Sequence, residues 1–144
     1  MNEYRPPRLP LALLDEPLAV CRLGPGDPVP GWALASRPLS VVARTPTELS
    51  LLVAEAAVPA EGAREPGLRV EGGWRAFVVR GPLPFDLVGI FASMAQPLAE
   101  AGLSIFALST FDTDFLLVKG ADLTRARAVL EAAGHDVIAA RQER

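Results

Sequence analysis

Two short stretches of this chain carry groups that could hold a small charged molecule. In the first, Asp86 precedes Leu87, Ile90, Phe91, Met94 and Leu98, whose spacing of three and four predicts one helical stripe with Asp86 as its N-cap. The amides of Leu87, Val88 and Gly89 then open toward solvent at a helix N-terminus, where a carboxylate is favoured, and Gly89 allows close backbone approach. The second stretch, Ser109-Thr110-Phe111-Asp112-Thr113-Asp114, is a polar segment between apolar runs and reads as a hairpin. Asp112 has the commonest use of Asp between strands, shaping the turn. Asp114 has two uses, a turn hydrogen bond or a ligand ammonium, and is expected to hold the ammonium while the amides near Val88 and Gly89 hold the carboxylate. Phe115 is assigned to the core and Phe111 to the rim. Amides for a carboxylate and an acid for an ammonium are the two halves of an amino-acid site.

Parts for bond-making are missing. The sequence has no glycine-rich phosphate loop and no zinc spacing. Its one histidine, His135, follows Gly134 and is expected to satisfy the last carbonyls of a preceding helix. Asp112 and Asp114 at i, i+2 have no further oxygen ligands nearby and make a poor cation site. The lone Cys21 lies among Ala19, Val20 and Leu23 and reads as a buried thiol. No catalytic residue, metal or cofactor is expected, and the chain is read as a non-enzyme.

The elements that must position these groups are legible in the second half. Residues 74–80 alternate as a strand; the helix from Asp86 runs to about Ala101 with Gly102 at C′, and Pro97 within it predicts a kink or break. Residues 103–108 and 114–118 are strands. Leu123, Ala126, Leu130 and Ala133 form a second amphipathic helix ended by Gly134, and residues 135–139 are the last strand. The order βαββαβ is the ferredoxin-like split unit. Its middle strands are apolar on both faces, while two helices cover only one, so the rest of the chain is expected to pack its own sheet on the other.

Eleven of the fourteen prolines precede residue 72, and a boundary is expected at Gly72-Gly73. Before it, residues 9–14 and 18–23 read as a hairpin or one bent strand about Asp15-Glu16-Pro17, and residues 39–43 and 48–53 as a hairpin about Arg44-Thr45-Pro46-Thr47. Trp32 sits between them in a possible helical turn as a lid on the core. Half the residues are apolar, enough for a core, and the formal charge is −3 with no basic cluster, which argues against nucleic acid. The longest early apolar run, residues 11–14, is too short to span a membrane or direct secretion, so a cytoplasmic protein is expected.

Gly-Trp-Arg-Ala at 73–76, Gly-Pro-Leu-Pro-Phe-Asp-Leu-Val-Gly-Ile at 81–90 and Ser-Thr-Phe-Asp-Thr-Asp-Phe-Leu-Leu-Val at 109–118 together resemble the bacterial paired ACT-domain proteins. The second half is also similar to the ligand-binding ACT domain of the Castor-type arginine sensors. The resemblance implies an α+β chain of two tandem ACT-like lobes, a degenerate one over residues 1–72 and a complete ACT domain over 73–144. It also implies regulatory binding of an amino acid at an interface between ACT domains, in a homodimer or with a regulated protein partner. Carried over by position, Pro84, Asp86, Leu87, Val88, Gly89 and Ile90 line one side of the site, and Thr110, Phe111, Thr113 and Asp114 the other. Leu87 takes a place that is acidic in the arginine sensors, so a neutral amino acid is expected to bind better than arginine. The other reading is a structural or dimerisation module with no ligand.

Overall fold

The computed structural model describes residues 6–81 and 88–139. In chain order the elements are β1 (Pro10–Leu13), β2 (Leu18–Leu23), α1 (Gly31–Leu34), β3 (Ser40–Arg44), β4 (Leu49–Ala54), β5 (Arg69–Val79), α2 (Ile90–Glu100), β6 (Phe106–Ser109), β7 (Asp114–Lys119), α3 (Leu123–Ala132) and β8 (Asp136–Ala139). They fall into two compact units: residues 16–74, here the inserted unit, and the described parts of 1–15 and 75–144, the C-terminal unit.

The C-terminal unit holds the order β5-α2-β6-β7-α3-β8, the ferredoxin-like arrangement expected, with one addition. Strand β1 pairs antiparallel with β5 (Leu11 opposite Val79) and parallel with β8 (Leu11 opposite Val137), so the sheet runs β6-β7-β5-β1-β8. The expected hairpin of residues 9–14 with 18–23 does not form. Short apolar strands do not specify their partner, and β1 takes the fully buried slot between β5 and β8, where Leu11 and Ala12 lose all exposure. The core on the helix side joins Leu11, Phe77, Val79, Leu116, Val118 and Val137 of the sheet to Ile90, Met94 and Leu98 of α2 and Ala126 and Leu130 of α3. Ile90, Met94 and Leu98 recur every four residues and so share one helix face. Phe91, counted in the sequence stripe, stays 42% exposed.

Helix α2 departs from expectation at its start. Its N-cap is Gly89, not Asp86, at φ 79°. A positive φ cannot belong to a right-handed helix, so the turn begins only at Ile90. Pro97 does not break the helix, which runs unbroken to Glu100. The carbonyl it leaves without an amide is that of Ser93. His135 Nε2 lies 2.9 Å from that oxygen, while the Leu9 amide donates to His135 Nδ1 at 3.0 Å. Because Leu9 supplies a proton to Nδ1, the ring proton must sit on Nε2 and serve Ser93. The histidine ring thus bridges α2 and the lead-in to β1 rather than capping the preceding helix. Its backbone amide takes that task, donating to the Leu130 carbonyl at 3.1 Å beyond Gly134 at φ 100°.

In the inserted unit the sheet order is β3-β4-β2-β5, all antiparallel, with β5 supplying its first residues. The hairpin expected about Thr45-Pro46 is present, closed by Thr45 N–H to the Glu48 carbonyl at 2.9 Å. Ala19, Cys21, Leu23, Leu49, Leu51 and Val53 make its core with Ala33. Half-buried Trp32 packs on that core and donates Nε1 to the Glu65 carboxylate. Gly72-Gly73 lies inside β5, where the register against β2 shifts; Gly73 has φ 78° and its amide donates to Glu55 Oε1 at 2.9 Å.

Candidate functional site: the cleft at the end of β5

In the C-terminal unit the chain leaves β5 beside the hairpin that joins β6 to β7. The hairpin is rigid for its size. Ser109 and Asp114 are the last register pair, Thr110 N–H donates to the Thr113 carbonyl at 2.8 Å, and Thr113 N–H donates back to Thr110 Oγ1 at 3.3 Å. Thr113 Oγ1 donates to the Val79 carbonyl and so fastens the tip to β5. At Gly81 the two backbones come so close that a β-carbon would stand 2.7 Å from the Asp112 carbonyl oxygen. Only glycine fits there without moving one backbone. Beside this contact lies an open cleft of about 350 Å³ lined by Val78, Val79, Arg80, Gly81, Asp112 and Thr113.

The residues singled out from sequence divide by place. Thr113 lines the cleft, and Thr110 holds Thr113 in position. Asp114 accepts a hydrogen bond from Ser109 Oγ at 2.5 Å, the turn use left open by the sequence, while Asp112 is the acidic residue of the lining. Phe111 is 79% exposed at the tip, as a rim residue should be. On the other side Val88 is 71% exposed, Gly89 caps α2, and the Ile90 side chain is in the core. The amides without an acceptor in the helix are by geometry those of 90–92. Pro84, Asp86 and Leu87 lie outside the described residues. Arg80, Gly81 and Asp112 were not given a binding role from sequence. A glycine at a strand exit, facing a polar hairpin, was the available signal.

The ACT-domain family profile matches residues 69–132. Protein Atu0741 of Agobacterium tumefaciens is 34% identical over 92% of this chain and 94% of its own, with a TM-score of 0.82. The chain carries an ACT domain at residues 69–132. Among more distant structures of like fold are two from aspartate kinases. The ligand-free regulatory subunit from Thermus thermophilus is 17% identical over 85% of this chain and 96% of its own, TM-score 0.58. The enzyme from Clostridium acetobutylicum is 11% identical over 92% of this chain and 36% of its own, TM-score 0.65. Among curated proteins none matches significantly. The residues matched by the ACT profile hold both sides of the cleft, from β5 through the hairpin to α3. No helix among the described residues is long and apolar enough to cross a membrane.

Proposed function

We propose that this ACT-domain protein is a non-catalytic regulatory protein that binds a free amino acid in the cleft at the end of β5. The observation that carries the reading is the cleft itself. It joins an arginine, an aspartate and a glycine-enforced backbone contact in about 350 Å³, a small volume among ligand sites. The ACT fold shared with the regulatory subunit of an aspartate kinase supports a regulatory use. The ligand ammonium goes to Asp112, and Asp114 shapes the hairpin through Ser109. The inserted unit, with its four-stranded antiparallel sheet and four-residue helix, is in this reading a degenerate ACT lobe.

Thermal shift against the twenty amino acids tests the proposal, since a ligand at a hundred times its dissociation constant adds roughly 2.7 kcal/mol to stability. One or two amino acids raise the transition; no response from any would leave a scaffold without a ligand. On whichever amino acid responds, Asp112→Asn is expected to weaken binding roughly ten- to a hundredfold, the worth of one charge-assisted hydrogen bond. Asp114→Asn should change it little. The reverse order in calorimetry would transfer the ammonium to Asp114. Arginine is expected to bind less well than a neutral amino acid, because Leu87 stands at the sequence position of the acid that a guanidinium would need as its partner.

A further inference from the structure

On the sheet face of the inserted unit opposite Cys21 and Leu51, the register sets two arginines, Arg22 and Arg69, directly opposite each other. Residues directly opposite on antiparallel neighbours share a face. Ser50 stands opposite Arg22 and Arg22 opposite Arg69; in the next row Leu52, Val20 and Glu71 align in the same way. The Cβ atoms of such pairs are roughly 4.5–5.5 Å apart, and like charges so placed destabilise a sheet. A neighbouring carboxylate would relieve the repulsion. Arg22 instead donates Nη2 to the Thr47 carbonyl at 3.0 Å, and among the described residues neither guanidinium forms an ion pair. Glu48 and Glu71 nevertheless line the same cleft, of about 390 Å³, with Val20 and Ser50.

Arg22 and Arg69, opposite each other in register, can converge on the two oxygens of a carboxylate. The flanking Glu48 opposes a dianion such as phosphate and attracts an ammonium. We propose that this cleft is a binding site for a small zwitterion of the α-amino-acid class, its carboxylate on Arg22 and Arg69 and its ammonium toward Glu48. The site lies wholly in the inserted unit and does not depend on the reading of the β5 cleft.

The test is an NMR titration of the full chain labelled with ¹⁵N-arginine, with glycine as the minimal zwitterion and acetate and inorganic phosphate as anions alone. Glycine is expected to shift the Nε–Hε signals of Arg22 and Arg69 saturably, and acetate to bind about tenfold more weakly, the difference made by one ammonium contact. Glu48→Gln should lower glycine toward acetate. Arg69→Gln, at an exposed residue with no side-chain hydrogen bond among the described residues, should abolish the response while the amide spectrum stays folded. Arg80 reports the β5 cleft separately, so a null result at one cleft is distinguishable from a null result at the other. Phosphate binding as tightly as glycine, no saturable shift with glycine, or a response that survives Arg69→Gln would each overturn the proposal.

Discussion

Two buried side chains, Cys21 and His135, show how a single group can be held to one state. Cys21 has lost all but 1% of its exposure, and burial pushes its thiol up to about 11, with the charge of Arg64 pulling weakly the other way. A thiol whose proton is held more tightly in the folded than in the unfolded chain contributes stability in full below its ordinary value of 9.0. That contribution fades as pH rises toward 11. Denaturant midpoints are therefore expected to fall between pH 9 and 11 in the wild type, and the fall should be smaller in Cys21→Ala. An aromatic disulfide reagent at pH 8 should find the thiol only after unfolding; immediate reaction in the native protein would contradict the burial. His135 is 4% exposed and serves one donor and one acceptor. His135→Ala strands the Leu9 amide and the Ser93 carbonyl, at about 1–3 kcal/mol for each. Urea unfolding should show that loss, with His135→Gln losing less because an amide side chain can offer both roles.

At the scale of elements, the contact of Gly81 with the β6–β7 hairpin is the one most open to a test. Gly81→Ala drives a β-carbon into the Asp112 carbonyl, so residues 110–113 must move or β5 must end differently. A stability loss of about 1–3 kcal/mol is expected. Amide shifts should change at Thr110 and Thr113 and not in β3 or β4; unchanged hairpin signals would show that the approach is not tight. This contact was invisible in the sequence because it joins residues 81 and 112, far apart in the chain. Signals confined to one turn were readable. Gly102 and Gly134 were placed at C′ by position alone, and both have positive φ. The stripe of Ile90, Met94 and Leu98 gave the core face of α2. Its start was misread because Asp86 carries a good capping side chain, while the decisive feature is the left-handed backbone of Gly89. From sequence the ammonium is expected at Asp114 and the turn at Asp112; the hydrogen bond from Ser109 engages Asp114 in the hairpin, while Asp112 lines the cleft.

For the whole molecule, the decisive feature is the position of β1. The ACT profile covers residues 69–132, yet the sheet of the C-terminal unit takes a strand from residues 10–13. A fragment of residues 73–144 lacks that strand, so β5 and β8 each expose a row of backbone groups. It is expected to aggregate or to unfold at far lower denaturant than the full chain. Joining residues 6–15 to it should restore a cooperative transition; a stable monomer without them would show β1 to be dispensable. The same position has a consequence during synthesis. The inserted unit has all of its strands once residue 74 has left the ribosome, whereas Leu9 meets His135 only 126 residues after its own translation. At roughly 5–20 residues per second that is a wait of about 6 to 25 s, in which β1 can pair with β5 once Val79 is made but has its other edge open until β8 follows.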